Sequence, residues 1–136
     1  MRKMLEGKVA LVTGASRGIG KAVALRFAAE GAAIAFTHVT PSAAAEQTEQ
    51  EIAALGVKVK RYVADAADYA ATEALVTDVV KEFGRIDILV NNAGIIKRIP
   101  MHEMKRSEFQ QVIDIDLVGP FICSSAVLPE MMERRE

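Results

Sequence analysis

Several residue types that mark particular classes of protein are scarce in this chain of 136 residues. It has one cysteine, no tryptophan, two tyrosines and two histidines. The lone Cys123 excludes an intrachain disulfide, and its apolar neighbours indicate a small packed side chain rather than a reactive thiol. Lysine and arginine number 17 against 18 acidic residues, without a basic face, so no nucleic-acid partner is expected. We also predict no metal site.

Long apolar runs are missing as well. The longest uncharged stretch, 117–129, is too short and too interrupted to span a bilayer, and residues 1–7 lack the apolar core of a signal peptide. We therefore expect a soluble, cytoplasmic protein with no membrane partner. Hydrophobic residues make up 51% of the chain, which is enough for one folded domain over residues 1–136.

What the chain does have is a glycine-rich stretch, Thr13 to Gly20, between a predicted strand and a predicted helix. A short β-branched run at 8–12 precedes it, and residues 21–30 follow with helical spacing. Glycines let such a turn approach a pyrophosphate, while the free N–H groups and the dipole of the new helix stabilise its charge. This stretch therefore predicts a dinucleotide-binding site.

Strands and helices alternate along the rest of the chain. Further strands are predicted at 32–38, 57–63 and 86–90, and helices from a Thr40 cap through 55, from 69 to 83, and from a Ser107 cap onwards. We expect Pro120 to kink the last helix and Pro129 to begin a final short turn. The alternation predicts an α/β fold with parallel pairing and right-handed crossovers, and apolar strands indicate cover on both faces. We expect a Rossmann-type doubly wound parallel sheet of strand order 3-2-1-4.

Two motifs in register resemble the short-chain dehydrogenase/reductase family: Thr-Gly-x-x-x-Gly-x-Gly from Thr13, and Asn91-Asn92-Ala93-Gly94 after the fourth strand. The resemblance covers essentially the whole chain and corresponds to the first half of such an enzyme. Through Asn92 the sequence looks more like 3-oxoacyl-acyl-carrier-protein reductases. Residues 96–101 and Asp116 look more like sugar-acid dehydrogenases such as gluconate 5-dehydrogenases. The resemblance implies carbonyl–alcohol interconversion on a small-molecule substrate.

The resemblance also implies a nicotinamide cofactor at the carboxyl ends of the strands. The matching positions are Gly14, Ser16, Arg17, Gly18, Ile19 and Gly20 for the phosphates and ribose, Asp65 and Ala66 for adenine, and Asn91, Ala93 and Gly94 for the second ribose. A loop-capping role for Asp65 is an equal alternative. His38 stands where an acid would bind the ribose of NAD, and Arg17 is available to a phosphate, so NADP is favoured over NAD. A purely structural role for His38 at the strand end stays open.

For catalysis, the resemblance implies an Asn, a Ser, and a Tyr four residues before a Lys that lowers the tyrosine pKa. Asp116 occupies the Asn position. Tyr62 and Tyr69 are followed four residues later by Ala66 and Glu73, so no such Tyr–Lys pair lies within these residues. If the chain is complete, we expect a cofactor-binding half without ordinary dehydrogenase activity.

A hydrolase is the alternative function. Residues 14–18 also satisfy Gly-x-Ser-x-Gly, the nucleophile elbow of serine esterases and lipases. Ser16, His38 and Asp65 would then form the relay, because they follow successive strands, each step about 4.8 Å. His102 is interpreted as a surface loop histidine.

Two apolar surfaces predict association. No strand follows 86–90 in the chain, which leaves that edge open, and the 107–128 helix carries more apolar residues than one sheet face covers. In the family this helix helps form the subunit interface. We therefore expect a homo-oligomer through the helix or the strand edge.

Overall fold

A parallel four-stranded sheet forms the centre of the computed structural model, which describes residues 2–135. Its strands are β1 (Val9–Val12), β2 (Ala33–His38), β3 (Val59–Val63) and β4 (Ile88–Val90). They are ordered β3-β2-β1-β4, and all three pairings are parallel. The predicted Rossmann-type fold and strand order are confirmed.

Helices cover both faces of this sheet. They are α1 (Gly18–Ala29), α2 (Ala43–Ala53), α3 (Tyr69–Phe83), α4 (Arg106–Ile113) and α5 (Gly119–Arg134), with a π-helical turn (Asp114–Val118) joining α4 to α5 without a break. On one face α1 and α2 pack against Val12 and Phe36, and on the other α3 and α5 pack against Leu11 and Ala35. Successive residues of β1 and β2 are apolar, and they point to opposite faces of the sheet. Both faces are therefore apolar and are buried under helices, which gives three layers.

Two predicted helix caps are each wrong by two residues, because another side chain makes the capping hydrogen bond. Ser42, not Thr40, caps α2, with its Oγ accepting from the Ala45 N–H at 3.2 Å. The last helix begins after Lys105, whose N–H donates to Glu108 Oε1 at 3.0 Å, so Ser107 lies inside the first turn.

The prolines of the last helix behave differently from one another. Pro120 has no N–H to donate to a carbonyl of the preceding turn. The helix continues through it because the π-helical turn comes just before, where the Gly119 N–H donates to the Asp114 carbonyl. Pro129 lies inside α5 and does not begin a new turn, which corrects the expectation. Arg134 holds the helix beyond it by bonding Glu130 Oε1 at 2.7 Å and the Ile86 carbonyl at 2.5 Å.

The continuous helix over Arg106–Arg134 is longer than the apolar run considered from sequence. It has 29 residues and a mean hydropathy of 1.6 in its most apolar part, so by length and composition alone it could cross a membrane. Core helices of soluble proteins pass the same test. One side of this helix, with Ile122, Cys123 and Val127, is buried against the domain.

Cys123 has the packed role predicted for it. Its side chain is 2% exposed, and burial raises the pKa of its thiol. A protonated, enclosed thiol is a poor nucleophile.

Candidate dinucleotide-binding site

The two glycine-containing motifs meet at the carboxyl ends of β1 and β4. Thr13 Oγ1 accepts hydrogen bonds from the N–H groups of Asn92 at 3.1 Å and Ala93 at 3.0 Å. In return, Asn92 Nδ2 donates to the carbonyls of Thr13 at 3.1 Å and Gly14 at 2.9 Å. These four bonds tie the loop after β1 to the loop after β4, so the motifs form one surface.

Close approach explains two of the glycines. A Cβ on Gly14, where φ is +67°, would lie 2.9 Å from Ala93 Cα, and one on Gly20 would lie 2.4 Å from Asn92 Nδ2. Any larger residue would push α1 away from the β4 loop. A Cβ on Gly18, in contrast, would meet nothing within 4 Å. The outer side of the turn is therefore open space.

The first turn of α1 lacks the cap that neighbouring helices have. Arg17 is its N-cap residue, makes no side-chain capping bond, and is followed by no acid in the first turn. Ser42 Oγ caps α2, and Asp68 Oδ1 caps α3 by accepting from the Ala71 N–H at 3.0 Å. The uncapped N–H groups and positive dipole end of α1 face the open side of the glycine turn, an arrangement suited to binding an anion.

Sequence reasoning missed the side chains that hold this turn from behind. Thr37 Oγ1 accepts from the Gly14 N–H at 3.0 Å, and Thr48 Oγ1 donates to the Ser16 carbonyl at 2.7 Å. Thr48 is fully buried. It lies on the face of α2 that carries Ala45 and Ile52, and a polar residue on an apolar helix face is the signal that could have found it.

At the β2 end, His38 is buried, with 5% of its surface exposed. Its Nδ1 lies 2.9 Å from the Thr40 carbonyl, which accepts the ring N–H. A cavity of about 420 Å³ opens beside His38 and is also lined by Ser42 and Arg61. Arg61 is held by Glu49 Oε1 at 2.6 Å. The strand therefore ends in a ring that donates a hydrogen bond, without an acid.

The remaining predicted phosphate and adenine positions differ in what they contact. Arg17 is exposed and forms no ion pair with any residue between 2 and 135, and Ile19 is 78% exposed. Asp65 Oδ1 accepts from the Ala67 N–H at 2.9 Å, which is the loop-capping alternative. Ala66 packs on α5, 3.2 Å from where a Cβ of Gly119 would lie.

The β4 side of the surface is closed by the last helix. Asn91 Nδ2 donates to Ser124 Oγ at 3.2 Å. Asp116, on the π-helical turn, accepts the Ile95 N–H on Oδ1 at 2.8 Å, and this oxygen would be 3.2 Å from a Cβ on Gly94. The structure thus brings Asp116 against the loop after β4.

The structure gives the hydrolase alternative no support. His38 bonds the Thr40 carbonyl, and Asp65 accepts from the Ala67 N–H in its own loop. Over residues 2–135, no hydrogen bond links Ser16 Oγ to His38 or to Asp65. A strained elbow would show a non-glycine residue at positive φ, but in the described chain only Arg135, at 56°, has one. His102 is exposed and lies 3.7 Å from Glu103, as a surface loop residue. No cluster of three metal-ligating side chains occurs among the described residues either.

The sequence profile of the family described as short chain dehydrogenase matches residues 8–136. The chain is 42% identical over 128 residues to the 3-oxoacyl-[acyl-carrier-protein] reductase FabG of Staphylococcus aureus, covering 94% of this chain and 52% of that protein. It is 40% identical over 131 residues to the 2-dehydro-3-deoxy-D-gluconate 5-dehydrogenase of Formosa agariphila, covering 96% and 50%. The chain therefore spans about half the length of these relatives.

Solved structures give the same result. An NAD⁺-bound xylitol dehydrogenase superposes with a TM-score of 0.91 and 38% identity, over 97% of this chain and 51% of that one. A short-chain dehydrogenase from Burkholderia cenocepacia in complex with NADP has a TM-score of 0.89 and 37% identity, over 93% and 51%. Similar structures thus include both an NAD⁺ complex and an NADP complex.

Proposed function

The chain belongs to the short-chain dehydrogenase family, and we propose that it is the cofactor-binding domain of an NADP(H)-dependent oxidoreductase that interconverts a carbonyl and an alcohol. One observation carries the proposal: the uncapped N-terminus of α1 faces the open side of the turn at Gly18, while Gly14 and Gly20 pack the turn tightly from behind. This combination supplies N–H donors and room for a pyrophosphate without any side chain in the way.

The proposed contacts follow the edge of the sheet. Residues 14–20 would hold the pyrophosphate, His38, Asp65 and Ala66 would border the adenosine, and Asn91, Ala93 and Gly94 would border the nicotinamide half. When bound, the nicotinamide supplies the hydride chemistry. The protein's own contribution is to fix the two ends of the dinucleotide on two loops that Thr13 and Asn92 bond together.

The preference for NADP rests on charge. An acid at the end of β2 would accept hydrogen bonds from the NAD ribose and repel a 2′-phosphate, but His38 occupies that place. Arg17 is exposed beside the glycine turn and has no ionic partner among residues 2–135. An exposed guanidinium beside the glycine turn, with no acid at the end of β2, favours the more negative dinucleotide.

The substrate would be a small molecule of 3-oxoacyl or sugar-acid type, by similarity to the two named relatives. Asp116 is the catalytic-set position within this chain, in the place where the family pattern has Asn. We further propose a homo-oligomeric state, since the family is typically oligomeric. We also propose a cytoplasmic location and a small-molecule substrate, in line with the family's action on small molecules.

Calorimetric titration with NADPH and NADH tests the proposal. We expect NADPH to bind at least about tenfold more tightly, since one extra phosphate contact with an arginine contributes about 1.4 kcal/mol or more. Arg17→Ala should weaken NADPH binding more than NADH binding. Arg26→Ala is the matched control, because Arg26 is exposed on the same helix and pairs only with Glu30 at 3.0 Å among the described contacts. Equal losses for both nucleotides in Arg17→Ala would reject Arg17 as the phosphate-binding residue, and binding of neither nucleotide by the wild type would reject the function.

A further inference from the structure

We propose that the carboxylate of Asp116 makes this site bind the oxidised, positively charged nicotinamide more tightly than the reduced, neutral one. This inference rests on the proposed function, because it concerns the redox form of the cofactor that the same site would bind. Its basis is the position of one negative charge, not a change in the fold.

The sheet order places β2 on one side of β1 and β4 on the other. A dinucleotide bound at the glycine turn after β1 would have its adenosine half toward the β2 end, where His38 stands, and its nicotinamide half toward the β4 end. The π-helical turn brings Asp116 to that end, with Oδ1 bonded to the Ile95 N–H at 2.8 Å, immediately after Gly94.

Asp116 is exposed, and no ion pair links it to another residue in the described part of the chain. The other carboxylate of the same turn, Asp114, accepts Gln110 Nε2 at 2.7 Å and lines a separate groove with Asp65 and Ser107. Neither carboxylate of this turn has an ionic partner among the described residues, and Asp116 is the one that contacts the β4 loop.

If the bound nicotinamide gave its hydride to a substrate carbonyl, the ring would be left with one positive charge. The Asp116 carboxylate at the same end of the site would stabilise that charged form more than the neutral one. Tighter binding of the oxidised form lowers its free energy on the protein, which favours hydride donation and so carbonyl reduction. An asparagine in the same place would keep the bond to Ile95 but would give no such charge preference.

The test is a pair of dissociation constants, for NADP⁺ and NADPH, measured by calorimetry on the wild type and three variants. Asp116→Asn should weaken NADP⁺ binding by about fivefold, the size expected for one partly screened unit charge, and change NADPH binding by less than about twofold. Asp116→Glu, which retains the charge, should preserve the wild-type ratio. Asp114→Asn, which removes an equal charge from the other groove, should preserve it too.

Three results of these titrations would contradict the inference or the proposed function. If Asp116→Asn leaves the ratio unchanged, or weakens both forms equally, the inference is wrong and Asp116 only positions the loop. If Asp114→Asn shifts the ratio as much as Asp116→Asn, the effect is general electrostatics of the domain and the inference is also wrong. If the wild type binds neither form, the proposed function itself fails.

Discussion

At His38, a single side chain stands where cofactor choice is made in a Rossmann-type site. The ring is 5% exposed and donates to the Thr40 carbonyl, so it offers a neighbouring ligand no negative charge. We expect His38→Asp to reverse the preference between NADPH and NADH, because a carboxylate accepts from the ribose hydroxyls and repels a 2′-phosphate. Because the expected wild-type preference is at least about tenfold, a reversal requires the ratio of the two dissociation constants to change by more than about tenfold.

His38→Asn is the matched control for that substitution. Its amide can still donate to the Thr40 carbonyl and carries no charge, so the wild-type preference should persist. Retained NADPH preference in a folded His38→Asp variant, checked by circular dichroism, would show that this strand end does not select the cofactor.

Gly20 provides a second prediction at the scale of one residue. A methyl group there would lie 2.4 Å from Asn92 Nδ2 and 2.6 Å from the Gly14 carbonyl, so the bonds between the two loops must break or shift. We expect Gly20→Ala to lower the free energy of unfolding in urea by about 2–3 kcal/mol. The added methyl group of Gly18→Ala would meet no atom within 4 Å, so this variant should lower the free energy of unfolding by only about 1 kcal/mol, because of the positive φ of +63°. Equal losses of unfolding free energy in the two variants would show that Gly20 is not required for the packing between the loops.

Among the elements, α5 is fixed to the sheet by charged groups near its end. Asp87 is bonded by Arg85, by Arg134 at 3.2 Å and by the Val9 N–H at 2.8 Å. Burial alone would raise the pKa of Asp87, but these donors and the two positive charges outweigh it, and the pKa lies below its ordinary value. The carboxylate thereby connects β1, β4 and α5.

The direction of that pKa shift gives a pH dependence. Since the folded state lowers the pKa of Asp87, the stabilisation is complete above the unfolded value of about 3.9 and is lost as the pH falls through the folded value. We expect Asp87→Asn to reduce the free energy of unfolding by about 2 kcal/mol at pH 7. The difference between wild type and variant should shrink toward pH 3 in urea titrations. A difference independent of pH would show that packing rather than charge is lost.

The order of strands and helices along the chain was predictable because it depends on the local spacing of apolar residues and glycines. Alternating apolar strands and helices predicted the parallel pairing, and the glycine spacing located the turn at 14–20. The predicted helix boundaries were wrong where two possible capping residues lie within three positions, as Thr40 and Ser42 do. They were also wrong where contacts distant in sequence hold the helix, as those of Arg134 do beyond Pro129. Thr48 could be noticed as a polar residue on an apolar helix face, but its partner, the Ser16 carbonyl, could not be predicted, since only the packing of α2 on α1 brings the two together.

For the whole molecule, the exposed side of the long helix is the feature that remains without a partner in the described chain. Its large apolar side chains are strongly exposed: Phe109 56%, Leu117 65%, Phe121 70%, Leu128 48% and Met132 69%. These positions recur at helical spacing and form one stripe, defined here as the 109–132 stripe. A stripe of this kind is the centre of an interface or a source of aggregation.

We predict that this stripe pairs with that of a second copy, giving a homodimer or larger oligomer in sedimentation equilibrium instead of the 14.7 kDa monomer. Leu117→Arg combined with Phe121→Arg should shift the population to monomer by placing like charges in the interface. Met101→Arg, at a loop residue that is 90% exposed and outside the stripe, should leave the mass unchanged. If the doubly substituted chain stays oligomeric and Leu89→Pro dissociates it, the contact is the free edge of β4, because proline removes an N–H from that edge. A wild type that is a monodisperse monomer at high concentration would refute association through either surface.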